Sequence, residues 1–263
     1  MRIATWNINS VRSRIDRAID LLDRENLDVL ALQETKVKDA AFPLEPFREA
    51  GYEVAFTGLN QWNGVAIVSR VGLDDITVGF PGQPTFGDPA VVESRAIGAT
   101  CDGVQVWSLY IPNGREVDHP HYTYKLAWFE ALRDAAASWL AREADSKIAL
   151  VGDWNVAPLD TDVWDPAFFE GKTHLTPAER EAFAALEQTG FVEVSRRFIP
   201  DEHTYTYWDY QQLRFPRNEG MRIDFAYASP ALADATTGVT ILRNERKGKG
   251  ASDHVPVILD IAD

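Results

Sequence analysis

The sequence predicts an α/β protein, a four-layer α/β sandwich in which two packed mixed β-sheets are flanked by helices. Three observations lead there. Short segments rich in Val, Ile and aromatic residues recur along the whole 263 residues, a few longer segments carry helical periodicity, and no low-complexity tract or internal repeat interrupts them. Many strands with a few long helices bury their apolar faces most simply as sheet on sheet with helices outside.

Taken in order, RIATWNI opens as a strand. Ile15, Ala18, Ile19 and Leu22 then fall at i, i+3, i+4 and i+7, the stripe of an amphipathic helix. DVLALQ at 28–33, YEVAFTG, GVAIVSR, VVESRAIGAT and VQVWSLYI follow as strands bounded by turn residues. A second helix is expected from Pro120, with Phe129, Leu132, Ala136 and Leu140 on one face. After the strand KIALVGDWNV comes the best-marked helix. Thr176 and Glu179 make a capping box, Pro177 takes the first helical position, and Gly190 is expected to end it. RIDFAYAS and VPVILDIA close the chain as strands, and residues 1–263 are expected to form one domain.

Composition narrows the class without choosing a substrate. At 45 % hydrophobic and 25 % charged residues the chain has the balance of a globular domain, and disorder is excluded. Its net charge of −14 is unlike the basic footprint of most nucleic-acid binders, yet a site that holds a divalent metal must concentrate carboxylates. Cys101, the only cysteine, can form neither an internal disulfide nor a sulfur-rich zinc site. No apolar run is long enough to span a bilayer and MRIATWNINS lacks a leader pattern, so a cytoplasmic protein with no membrane attachment is expected.

Carboxylates and amides gather at the ends of otherwise apolar strands. Asn7 and Asn9 follow the first strand, Glu34 the second, and Asp153 and Asn155 end IALVGDWN. Asp224 interrupts MRIDFAY, and Ser252, Asp253 and His254 precede the last strand. Each alone is commonly a turn former or a solvated residue. Together they are what a fold needs to assemble one rigid polar rim from distant segments.

TWNINSVR, LQETK, YIPNG, GDWNV, MRID and SDHVP resemble, in order and spacing, the motifs of exonuclease III and the apurinic/apyrimidinic endonucleases. The resemblance covers nearly the whole chain and implies a single catalytic domain of the endonuclease/exonuclease/phosphatase type. It implies Mg²⁺, with Mn²⁺ as an alternative, held by Glu34 and by Asp153, Asn155, Asn9 and Asp253. Asp153 would orient or deprotonate the attacking water, with Asn7, Asn155 and Tyr110 around the phosphate. His254 would bind a phosphate oxygen, oriented and charged by Asp224. Some relatives carry Asp where this chain has Asn9, which leaves one metal or two open.

The same superfamily cleaves phosphoinositides and RNA, so substrate choice rests on other residues. TYTYWDYQ at 204–211 resembles the family's aromatic segment beside the abasic-site pocket. Tyr207 and Trp208 are therefore expected to wall that pocket with Met221, and Arg222 to lie beside it. Arg12, Arg14, Lys36, Lys38, Arg115, Arg246, Lys247 and Lys249 follow or precede the motifs, and Arg115 and Lys247 are taken as DNA contacts. The implied partner is double-stranded DNA with abasic sites or 3′ ends, met by a monomer. A phosphodiesterase for RNA or phosphoinositides and a non-catalytic DNA-binding relative are the alternatives.

Overall fold

The computed structural model describes residues 1–262. Its strands are β1 (Arg2–Asn7), β2 (Val29–Gln33), β3 (Glu53–Thr57), β4 (Val65–Ser69), β5 (Asp74–Val78), β6 (Ala96–Cys101), β7 (Val104–Tyr110), β8 (Lys147–Asp153), β9 (Val192–Glu193), β10 (Asp224–Ala228), β11 (Thr236–Ile241) and β12 (Val257–Ile261). The helices are α1 (Ile15–Arg24), α2 (Leu44–Glu49), α3 (Pro120–Arg142), α4 (Pro177–Ala184), α5 (Ser195–Phe198) and α6 (Pro230–Ala235). Two six-stranded sheets form, ordered β11-β12-β1-β2-β4-β3 and β5-β6-β7-β8-β10-β9. Each is mixed: β1–β2 and β7–β8 run parallel, and the other pairs run antiparallel.

Alternation along the strands explains the layers. Ile3, Val29, Ala31, Ile67, Val106, Ala149, Val151 and Ala226 point between the sheets and form one buried core. Their neighbours Ala4, Trp6, Leu30 and Leu32 point outward, onto Ala18, Leu21 and Leu22 of α1 and Phe47 of α2. On the other side Trp107, Leu109, Leu150, Phe225 and Tyr227 meet Trp128, Phe129 and Leu132 of α3 and Phe183 of α4. These are the four layers expected from the sequence.

Three expectations need correction. Helix α4 ends at Ala184, and Gly190 instead terminates a following 3₁₀ turn, Glu187–Thr189, at φ 101°. The strand read from VVESRAIGAT starts only at Ala96, because the Arg95 N–H bonds back to Glu93 O and takes the chain off the ladder. TYTYWDYQ forms no strand; Tyr207 makes single bridges to Met221 and to His254. Unforeseen were β5, β9 and β11 and the short helices α2, α5 and α6.

Candidate active site

The strand period that builds the core also builds the site. On the inter-sheet face Ile3, Thr5 and Asn7 follow one another along β1, as do Ala149, Val151 and Asp153 along β8 and Ala228, Ala226 and Asp224 along β10. Every strand is apolar at its base and polar at one end. Register aligns those ends: Tyr110 pairs with Asp153 and Asp153 with Asp224, which makes one row across three strands. Below it, Gln33 Nε2 donates to Thr5 Oγ1 (3.0 Å) and to Ser108 Oγ (2.9 Å), tying one sheet to the other. Gly152 is obligatory in this row, since a Cβ there would lie 1.8 Å from Leu109 O.

The loops leaving the strands turn at once. Asn9, Glu34 and Asn155 hold φ values of 46°, 52° and 51°, a left-handed conformation costing roughly 1–2 kcal/mol for a residue with a Cβ. Such strain at several rim positions is what a site held against its local preference looks like.

Asn7 is the junction. Its Nδ2 donates to Glu34 Oε1 (2.9 Å) and to Asp153 Oδ2 (3.0 Å), joining the two sheets. Asn155 donates its N–H to Asp153 Oδ1 (2.9 Å) and its Nδ2 to Ile111 O (2.9 Å) and Asp153 Oδ2 (3.3 Å). The His254 ring is fixed by Asp224, 2.9 Å from Nδ1, and presents Nε2 3.7 Å from Asp153. Tyr110 is buried with the Arg95 guanidinium 4.6 Å over its ring.

Electrostatics assign protonation states. Burial, reinforced by Asp224 and Glu34, pushes the Asp153 carboxyl up to about 7, against the pull of His254. Burial alone would depress His254, but Asp224 and Asp153 outweigh it and push the ring up to about 10. Burial would likewise raise Glu34, yet Lys36 at 2.7 Å holds it below the usual carboxylate range. The Tyr110 phenol is driven well up by burial and by Glu34, so it stays a donor.

Glu34, Asp153 and His254 bring ligand atoms to within 4.8 Å of one another, a group able to hold a metal ion. A charged His254 engaged by Asp224 is a poor ligand, which leaves hard carboxylate oxygens suited to a hard divalent cation. Asp153 is raised chiefly by burial, and Asp224 and Glu34 add negative charge that such a cation would offset. Asp253 lies outside this group and is bound to Asn9 instead. Asn9 Oδ1 accepts from Lys36 Nζ (2.6 Å), and Asn9 Nδ2 donates to Asp253 Oδ1 (3.0 Å).

Beside the rim lies a cavity of about 460 Å³ lined by Tyr207, Met221, Arg115, Trp164, Phe168 and His174, among others. Two expected DNA contacts do not reach it. Trp208 is wholly buried against Tyr205 and Val255, and Arg222 is buried with Nη1 donating to Ile199 O (3.0 Å). Both sit on the inward side of their segments, so neither presents a surface to DNA. Of the basic residues, Arg14 and Arg246 are internal staples: Arg14 donates to Tyr210 Oη (2.9 Å) and Arg246 to Trp208 O (3.2 Å). Arg12, Lys38, Arg115, Lys247 and Lys249 are exposed.

Sequence reasoning gave no role to Asn113 or His174, and read Lys36 only as one of the basic residues beside the DNA, whereas its Nζ lies 2.7 Å from Glu34 Oε2. Asn113 Nδ2 lies 3.2 Å from Asn155 Oδ1, and His174 Nε2 lies 3.1 Å from the same oxygen. Asn113 was visible within YIPNG, and Lys36 within LQETK. His174 sits in a loop with no pattern, and only its place just before the Thr176 cap marks it.

A two-sheet sandwich with a carboxylate and imidazole rim has the chemistry suited to hydrolysing phosphate esters. The chain belongs to the endonuclease/exonuclease/phosphatase family, whose profile matches residues 4–254. It is 31 % identical to an exodeoxyribonuclease of Bacillus subtilis, covering 99 % of both chains. Among solved structures, the 3′ phosphatase NExo from Neisseria, bound to a product DNA hairpin, is 35 % identical with a TM-score of 0.94 over 100 % of each chain. An AP endonuclease from Archaeoglobus fulgidus is 34 % identical with a TM-score of 0.91 over 99 % of each.

Proposed function

We propose that this protein is a Mg²⁺-dependent DNA repair phosphodiesterase that cleaves duplex DNA 5′ to abasic sites and removes nucleotides and blocking groups from 3′ ends, acting as a monomer. One observation carries the reading. The Tyr110–Asp153–Asp224 row of one sheet faces Asn7 and Glu34 of the other, with His254 closing the cluster.

Asp153, buried at the centre of the row, is placed to orient the attacking water and take its proton. Asn7 and Asn155 fix that carboxylate. His254 is an imidazolium at neutral pH and offers Nε2 to a non-bridging phosphate oxygen, while Tyr110 offers a neutral hydroxyl. In-line attack of water on phosphorus then needs no covalent intermediate. Glu34 and Asp153 would hold Mg²⁺, or Mn²⁺ in its place, which would neutralise phosphate charge and stabilise the leaving oxygen. Tyr207 and Met221 wall the adjoining cavity, where a sugar without its base enters at least unstacking cost.

The test is hydrolysis of three duplexes, bearing an abasic analogue, a 3′-phosphate or a recessed 3′ end, with Mg²⁺ and with EDTA. Cleavage that requires Mg²⁺ is expected. Inactivity on all three, or activity untouched by EDTA, overturns the reading, and the product pattern assigns the balance between incision and 3′-end processing. Glu34→Gln should weaken Mg²⁺ binding, with activity partly restored by more metal. Asp153→Asn should lower turnover by about 10³-fold or more with no such rescue.

A further inference from the structure

A fully buried ion pair of the protein belongs to none of the groups above. Lys125, on α3, is fully buried with its partner Glu179, on α4. Its ammonium donates to Asn155 O (2.7 Å), to Asn113 O (3.2 Å) and to Glu179 Oε1 (2.5 Å). Asn113 follows β7 and Asn155 follows β8, so one cation grips the loops leaving two site strands. The turn at Gly114 packs directly on the lysine stem, where an added Cβ would lie 3.3 Å from Lys125 Cδ. Glu179 is anchored in turn, accepting from the Thr176 N–H (3.1 Å) and hydroxyl (2.8 Å) at the start of α4.

From this geometry we infer that Lys125 is a positioning residue for phosphodiester hydrolysis, clamping the Asn113 and Asn155 carbonyls so that both side-chain amides stay in register with Asp153. The inference rests on the reading of the site given above. Asn155 holds Asp153 through two hydrogen bonds, and Asn113 Nδ2 holds Asn155 Oδ1. The backbone that carries Asn155 is left-handed, so its loop needs an external tie to stay there. Glu179 answers a different need. Without it the buried ammonium would lack a counter-charge, and a lone buried charge destabilises the fold. The clamp and the charge balance are therefore separable.

That separation gives the experiment. Lys125→Met, with folding checked by circular dichroism, is expected to lower kcat about 100-fold while KM for duplex DNA changes less than about threefold. The double variant Lys125→Met/Glu179→Gln removes both charges, and glutamine keeps the cap on α4. It should recover melting temperature but not kcat; recovery of both would overturn the inference and leave Lys125 a charge partner only. Should Lys125→Met fail to fold, Glu179→Gln alone decides, because a lysine amine without its counter-charge still has donors for both carbonyls. Its kcat should stay within about threefold of wild type, and a loss as large as that expected for Lys125→Met would overturn the clamp. The free protein supplies a readout that needs no catalysis. In Lys125→Met/Glu179→Gln the NMR side-chain amide signals of Asn113 and Asn155 should shift or broaden while that of Asn26, in the exposed turn after α1, does not. Unchanged signals would overturn the clamp even if wild type hydrolyses DNA, whereas an inactive wild type with shifted signals would instead sink the functional reading.

Discussion

His254 shows what a single side chain gains from its neighbours. Its ring pKa is carried up to about 10, so its stabilising contribution is complete below about pH 6.5, the usual histidine value, and is lost as pH climbs through 10. Asp224→Asn removes the nearer carboxylate. The alkaline limb of the activity profile should move to lower pH, and an NMR titration of the ring should show the same fall; a ring pKa unmoved by the substitution would break the pairing. Trp208 teaches the opposite lesson. The sequence shows four aromatic residues in TYTYWDYQ but not which of them face inward, because no regular strand sets their alternation. Since Trp208 is wholly buried, Trp208→Ala should cost about 3–5 kcal/mol of stability in denaturant unfolding. Selectivity for abasic DNA should instead respond to Tyr207→Ala, read as the ratio of incision on abasic and undamaged duplexes. Asn7, Glu34 and Asp153 were legible because each stands at the end of an apolar strand, and His254 because it sits just before one; Lys125 and His174 were not, because the groups they bind lie on other segments of the chain.

Elements were legible where pattern and cap agreed. Helix α4 begins as its sequence says: the Thr176 side chain accepts from the Glu179 N–H, Glu179 answers at the Thr176 N–H, and Pro177 fills the first position. Thr176→Ala should cost about 1 kcal/mol, seen as a lower unfolding midpoint. Its far end was misplaced because Gly190 closes a 3₁₀ turn, and a glycine after a helical pattern does not say which kind of turn precedes it. Strand β5 was missed because all five of its residues are exposed, so no buried face wrote an alternation into DDITV. The strands that carry the site were read correctly, since each packs on both faces and is largely apolar, with site residues gathered at one end. Tightness at that end is visible in Gly152. Any side chain there would push β8 off β7 and misplace Asp153, so Gly152→Ala should lose activity even where the protein still folds.

For the molecule as a whole, the awkward fact is a net charge of −14 on a protein proposed to hold DNA. Long-range attraction cannot supply the affinity, so binding has to come from local contacts and from metal at the carboxylate rim. Exposed cations remain beside the site loops: Arg12, Lys38, Arg115, Lys247 and Lys249. Arg14 and Arg246 are spent on internal contacts, which lowers the number of phosphates this face can neutralise. Each phosphate contact contributes a slope of about −0.9 to the dependence of log affinity on log salt. Few free cations therefore predict a shallow salt dependence, equivalent to a handful of phosphates rather than the steep loss of a basic DNA binder. Lys247→Ala should reduce the magnitude of that slope by about one. Tyr207→Ala should weaken binding to an abasic duplex with the slope unchanged, because an aromatic wall releases no counterions. The measurement is fluorescence anisotropy of a labelled abasic duplex between about 50 and 200 mM salt, with Asp153→Asn in the background of every protein so that substrate survives. A slope insensitive to Lys247→Ala would move the DNA away from the Tyr210–Lys247 side of the rim, and a slope altered by Tyr207→Ala would mean that its ring orders a cation rather than the sugar.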